Sequence, residues 1–132
     1  MAGFGGVHLA FTVSDLSRSA PWYQQVFGGQ QMFQGNDGVS DVTIFALSGN
    51  LLVGLRQHPD MQAGDRFAFN RVGLDHAAFH VRDREELEDW RTRLERASID
   101  HSGIQESPFG LHLNFNDPDG IALELFVPAP QQ

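Results

Sequence analysis

The chain has 132 residues, 17 of them acidic, 9 basic residues that are all arginine, no cysteine, and a formal charge of −8. Without cysteine or lysine there is no disulfide framework, thiolate nucleophile, iron–sulfur cluster or Schiff base, and the acidic balance argues against nucleic acid and anionic membranes as partners. No apolar run approaches the roughly 18 residues of a membrane span, and Met1 to Gly6 lack the basic and apolar regions of a signal peptide, so the expectation is a cytoplasmic globular protein.

In chain order, apolar residues at 7, 9, 11 and 13 alternate as a strand over 7–13. Asp15 is suited to cap a helix over 18–27, which tolerates Pro21 if that residue lies within the first turn. Gly28-Gly29 supplies the stop, and strands are expected over 30–34, 42–46 and 51–55, with Ser48-Gly49-Asn50 turning between the last two. Residues 58–71, with Pro59, Gly64 and mixed charges, read as a linker. Ala77, Phe79 and Val81 then repeat the alternating strand. Asp83 with Glu86 fits a capping box, and Leu87, Trp90, Leu94 and Ala97 form an apolar helical stripe. Strands follow over 100–104, 111–115 and 121–127, the last two joined by Asp117-Pro118-Asp119-Gly120, a strong turn signal.

The two halves match. His8-Leu9-Ala10-Phe11-Thr12-Val13-Ser14-Asp15 laid on His76-Ala77-Ala78-Phe79-His80-Val81-Arg82-Asp83, at an offset of 68, is identical at five of eight positions. The same offset places Trp22 on Trp90, the only two tryptophans. A period near 66 is too long for the common solenoids, so it reads as a duplicated module. Each copy has the order βαβββ, an α+β grammar: module 5–57 and module 72–127, joined by 58–71 within one domain spanning 1–132.

Strand parity puts His8, Ala10 and Thr12 on the face opposite Leu9, Phe11 and Val13, with His76, Ala78 and His80 equivalent in the second copy. Ala122, Glu124 and Phe126 share a face opposite Leu123 and Leu125, so Glu124 is a carboxylate inside an apolar run, costly unless paired. Taken singly, each histidine suits a structural hydrogen bond and Glu124 suits an arginine partner. Together His8, His76 and Glu124 would make a two-histidine, one-carboxylate set for a divalent metal with open positions.

These residues resemble the vicinal oxygen chelate superfamily of glyoxalase I, bleomycin and fosfomycin resistance proteins, and extradiol dioxygenases. The resemblance rests on Val7 to Leu16, Trp22-Tyr23 with Phe27-Gly28, Leu74-Asp75-His76-Ala77-Ala78-Phe79 and Asn116-Asp117-Pro118-Asp119-Gly120-Ile121-Ala122-Leu123-Glu124-Leu125-Phe126, covering about 5–127. It implies paired modules forming a cup-shaped, partly open barrel, a homodimer, and His8, His76 and Glu124 as ligands of Fe, Mn, Ni, Co or Zn. A fourth ligand typical of glyoxalase I is missing, because Gly54 aligns with Glu124, or Val53 with a one-residue shift. The tyrosine common in extradiol dioxygenases is replaced by Asn114, and Ser107-Pro108-Phe109-Gly110 does not resemble the cation loop of fosfomycin transferases. His112 or His80 is the expected acid–base group, and Asn114, Phe126 and Thr12 are expected to contact substrate.

The leading expectation is a metal-dependent enzyme, of lyase, isomerase or oxygenase chemistry, that chelates vicinal oxygens of a small organic substrate. The alternative is a metal-free drug-binding protein of the bleomycin-resistance type, whose acidic balance suits a cationic ligand. A third reading is a relative that kept the fold and lost the chemistry.

Overall fold

The computed structural model describes residues 2–130. They form two compact units, one ending at Asp65 and the other beginning at Arg66, a boundary inside the segment expected as the linker. Each unit has one helix and one open four-stranded sheet.

Unit 1 contains β1 (His8–Thr12), α1 (Leu16–Phe27), β2 (Gln30–Asn36), β3 (Asp41–Leu47) and β4 (Leu51–Gln57), in the sheet order β1-β4-β3-β2. β1 runs parallel to β4 and the other pairs are antiparallel. The helix starts earlier than the expected residue 18 because its end is tied down twice. Asp15 accepts from the Ser17 N–H at 3.1 Å, and the Leu16 N–H donates to Gln57 Oε1 at 2.8 Å. Pro21 is therefore the sixth helical residue, beyond the first turn. Its missing N–H costs the bond to Ser17, and its exposed position leaves the ring clear of the core. Gly28, at φ 69°, ends the helix and donates its N–H to the Gln24 carbonyl. α1 packs on β3 and β4, and Phe11, Val13, Val53 and Leu55 of this unit are buried, each worth about 1.5–3 kcal/mol on burial. Tyr23 is buried with them, stacked on Phe11 and Phe27 at 6.0 and 5.8 Å.

Unit 2 repeats the plan with β5 (Ala77–His80), α2 (Arg84–Arg96), β6 (His101–Ser107), β7 (Gly110–Asn116) and β8 (Ala122–Pro128), in the order β5-β8-β7-β6. Asp83 caps α2 by accepting from the Glu86 N–H at 3.0 Å. The reciprocal half of the capping box is displaced by one residue, since Glu86 accepts from Arg82 rather than from Asp83. Leu87 and Leu94 of the expected stripe are buried; Trp90 is half-buried under the Arg93 guanidinium, 5.0 Å from its ring. The turn before β8 is held by Asp117 Oδ1, which accepts from Asp119 and Ile121 N–H groups, both at 2.8 Å.

The repeat visible in the sequence is also a repeat of register. Asp15 and Asp83 are both N-caps. Ala10 pairs with Gly54 in unit 1, and Ala78 pairs with Glu124 in unit 2. Gly54 therefore holds the register position of Glu124.

Candidate functional site

In unit 2, α2 packs against β6, β7 and β8, on the side where Leu113, Leu123 and Leu125 are buried. Alternation sends the intervening residues to the other face. There the pairings set Asn114, Glu124 and Ala78 in one row and His112, Phe126 and His80 in the next. Five expected site residues are thus neighbours by backbone pairing alone. His76 stands just before β5, beside the first row.

Side chains join the two rows. His76 Nε2 lies 3.3 Å from Glu124 Oε2, and His76 Nδ1 lies 2.7 Å from Asp75 Oδ1. Ionised carboxylates only accept hydrogen bonds, so the Asp75 contact places the His76 proton on Nδ1. Nε2 of the neutral ring then presents a lone pair to a carboxylate oxygen. Two acceptors face each other, an arrangement that calls for a cation or a proton between them. The spacing suits a cation: ligand atoms about 2.1 Å from an ion and at right angles are about 3.0 Å apart. The Glu124 carboxyl, whose side chain is 13% exposed, has its other oxygen 3.3 Å from Asn114 Nδ2 and 3.6 Å from His112 Nδ1. His112 Nδ1 in turn lies 2.6 Å from Asn114 Oδ1. Asn114, expected to contact substrate, thus has both ends of its amide engaged by neighbouring side chains.

The remaining positions divide clearly. His80 is exposed, with its ring 5.2 Å from that of Phe126, which is half-buried. His101 is spent on structure: Nδ1 accepts from the Gly103 N–H at 2.9 Å, and Nε2 faces Glu95 at 3.2 Å. In unit 1, His8, Ala10 and Thr12 are exposed, paired with Leu52, Gly54 and Arg56. A groove of about 900 Å³ in that unit, between α1 and β2–β3, is lined by residues including Gln24, Gln31, Asn36 and Thr43, and by none of the expected site residues. Unit 2 thus brings together two of the three expected ligands; among the described residues no group of three or more His, Cys, Asp or Glu is close enough to hold a metal ion. Asp75 was passed over as a site residue. Its one signal in the sequence is a carboxylate directly preceding a repeated histidine.

A duplicated βαβββ chain with a histidine–carboxylate pair on the open face of its second sheet defines a class that comparison identifies. The chain belongs to the Glyoxalase/Bleomycin resistance protein/Dioxygenase superfamily, whose family model matches residues 6–125. A glyoxylase/bleomycin resistance protein/dioxygenase domain from Frankia sp. EAN1pec is 33% identical, with 98% of this chain and 99% of that one covered at a TM-score of 0.84. FosX, a fosfomycin resistance protein from Listeria monocytogenes, shares the fold at 20% identity and a TM-score of 0.73, covering 96% of this chain and 94% of that one. A Bacillus subtilis protein named as a ring-cleaving dioxygenase, MhqA, is 42% identical over 57 residues. That match covers 43% of this chain and only 18% of MhqA.

Proposed function

We propose that this protein is a divalent-metal-dependent enzyme that acts on a small oxygenated organic molecule. The observation that carries the proposal is the 3.3 Å approach of His76 Nε2 to Glu124 Oε2, with Asp75 and Asn114 holding the far side of each group. His8 is the third ligand of the proposed set, because it occupies in unit 1 the repeat position that His76 occupies in unit 2. A bound divalent ion would supply Lewis acidity and open positions for vicinal substrate oxygens. A point mutant of FosX from Listeria monocytogenes, with the same fold, has been solved with Mn(II) and 1S,2S-dihydroxypropylphosphonic acid, which makes Mn(II) a suitable first probe.

The chain's own residues supply the rest. His112, one strand from Glu124 and partly exposed, moves the proton, with His80 across Phe126 as the second candidate. Phe126 and Thr12 are the proposed substrate contacts, the first offering an apolar ring surface and the second a hydroxyl. We take the working form to be a homodimer, as is common in the superfamily.

The test is metal binding. Purified protein titrated with Mn(II) should bind about one equivalent per chain, and His76→Ala, Glu124→Ala and His8→Ala should each remove stoichiometric binding. Less than about a tenth of an equivalent on the unaltered protein would overturn the proposal. Tight binding of a cationic glycopeptide that persists in chelator would favour the drug-sequestering alternative instead.

A further inference from the structure

The amide of Asn114 connects Glu124 to His112, and the chemistry of the three groups leaves one consistent arrangement of protons. An ionised Glu124 only accepts, so the Asn114 NH2 group must face it, at 3.3 Å. Asn114 Oδ1 is thereby turned to His112 Nδ1, 2.6 Å away. A carbonyl oxygen cannot donate, so Nδ1 must carry the proton. The second neighbour of Nδ1, Glu124 Oε1 at 3.6 Å, is also an acceptor and favours the same assignment. In the neutral ring the lone pair then belongs to Nε2.

We infer that Asn114 is a positioning residue, which reads the charge of Glu124 through its NH2 group and holds His112 as the Nδ1–H tautomer with Nε2 as the proton acceptor. Free imidazole side chains favour the opposite tautomer, so the neighbours must impose this one. A proton taken up at Nε2 produces an imidazolium whose Nδ1–H still points at the Asn114 oxygen, with the Glu124 carboxylate behind it. The amide is in turn held by its backbone. The strand pairing of β6 shifts between His101 and Ile104, and there the Asn114 N–H donates to Ser102 Oγ at 3.0 Å. A side-chain hydroxyl thus fills the place of a ladder carbonyl.

The tautomer does not depend on the metal reading; only the effect of Asn114 on metal affinity rests on Glu124 being a ligand. The experiment uses the full chain labelled with 15N-histidine, without metal, above the pH at which imidazole is protonated. Long-range 1H–15N correlations should show His112 with a pyrrole-type Nδ1 and a pyridine-type Nε2. Asn114→Ala should move His112 toward the Nε2–H form and weaken Mn(II) binding by about 10–100-fold. Circular dichroism and the Tm of Asn114→Ala, measured alongside, guard against misreading an unfolded variant. An Nε2–H tautomer in the unaltered protein would overturn the inference. So would an Asn114→Ala variant with both the tautomer and the Mn(II) affinity unchanged. Failure of Mn(II) to bind the unaltered protein, with the Nδ1–H signature present, would sink the metal reading and leave the tautomer assignment standing.

Discussion

Gly110 opens β7, the strand that carries His112 and Asn114, and replacing it with alanine should be severe for reasons visible in the backbone. Its φ is 149°, a value that residues with a Cβ rarely adopt, and an added Cβ would stand 2.0 Å from the Val127 carbonyl oxygen and 2.9 Å from the Ala129 N–H nitrogen. Those are backbone atoms of β8 and its continuation, and the Ala129 N–H is committed to the Phe109 carbonyl at 2.7 Å. Relief requires the two strands to part by about 1 Å, since a carbon and a carbonyl oxygen need roughly 3 Å or more. Conformational strain of about 1–3 kcal/mol and overpacking of about 1–3 kcal/mol combine to an expected loss of about 2–6 kcal/mol. With an unfolding entropy of about 2.1 cal/mol/K per residue, that loss lowers Tm by about 7–22 °C. Gly103→Ala is the control. Its φ is also positive, at 75°, but nothing lies within 4 Å of the added Cβ, so only the backbone cost of about 1–2 kcal/mol remains. Thermal unfolding followed by circular dichroism measures both. A Gly110→Ala drop of less than about 3 °C, or one no larger than that of Gly103→Ala, would refute the steric argument.

Other expectations concern the site and its surroundings. Asp75→Ala should weaken Mn(II) binding by about 10–100-fold in calorimetric titration, since it removes the partner of the His76 Nδ1–H; Asp75→Asn, which can still accept that bond, should lose less, and equal affinities in all three proteins would discount Asp75. Gly54→Glu should fold with a Tm within a few degrees of the unaltered protein, because the nearest atoms to its added Cβ are at 3.8 Å. On the proposed ligand set that includes His8, it should also raise Mn(II) affinity, and an unchanged affinity would count against a role for that position in metal binding. The Asp37 carboxyl is held down from 3.8 to about 2, first by the Ser40 N–H and then by the Arg56 guanidinium. A lowered carboxyl pKa means stability that is present above about pH 4 and lost as pH falls toward 2. Asp37→Asn should therefore flatten the acid side of the urea-midpoint curve in that window, and an unaltered slope would refute the assignment.

Much of the architecture was legible because it rests on periodicities that local sequence carries. The alternation at Phe11 and Val13, and again at Leu123 and Leu125, marks buried faces that the structure confirms. Strand ends were less legible. β3 begins at Asp41 and β4 runs on to Gln57, beyond the apolar residues, because antiparallel pairing of Asp41 with Gln57 extends the ladder whatever the side chains are. The start of α1 was missed for a similar reason, since the Gln57 side chain that satisfies the Leu16 N–H comes from a strand 41 residues away.

The same division runs through the site. By itself the sequence determined that the chain is a duplicated βαβββ protein. Because repetition and alternation are local properties of a chain, it also placed two histidines at repeat-related positions. It left Gly54 or Val53 opposite Glu124, a choice that the strand register resolves as Gly54. Only the tertiary structure decided what those groups do to one another. The turn of Asp75 onto His76 Nδ1 and the Asn114 amide between Glu124 and His112 depend on distances of about 3 Å between side chains. Hydrogen bonding and metal coordination are decided at that scale, whereas sequence spacing fixes no more than the face on which a side chain emerges.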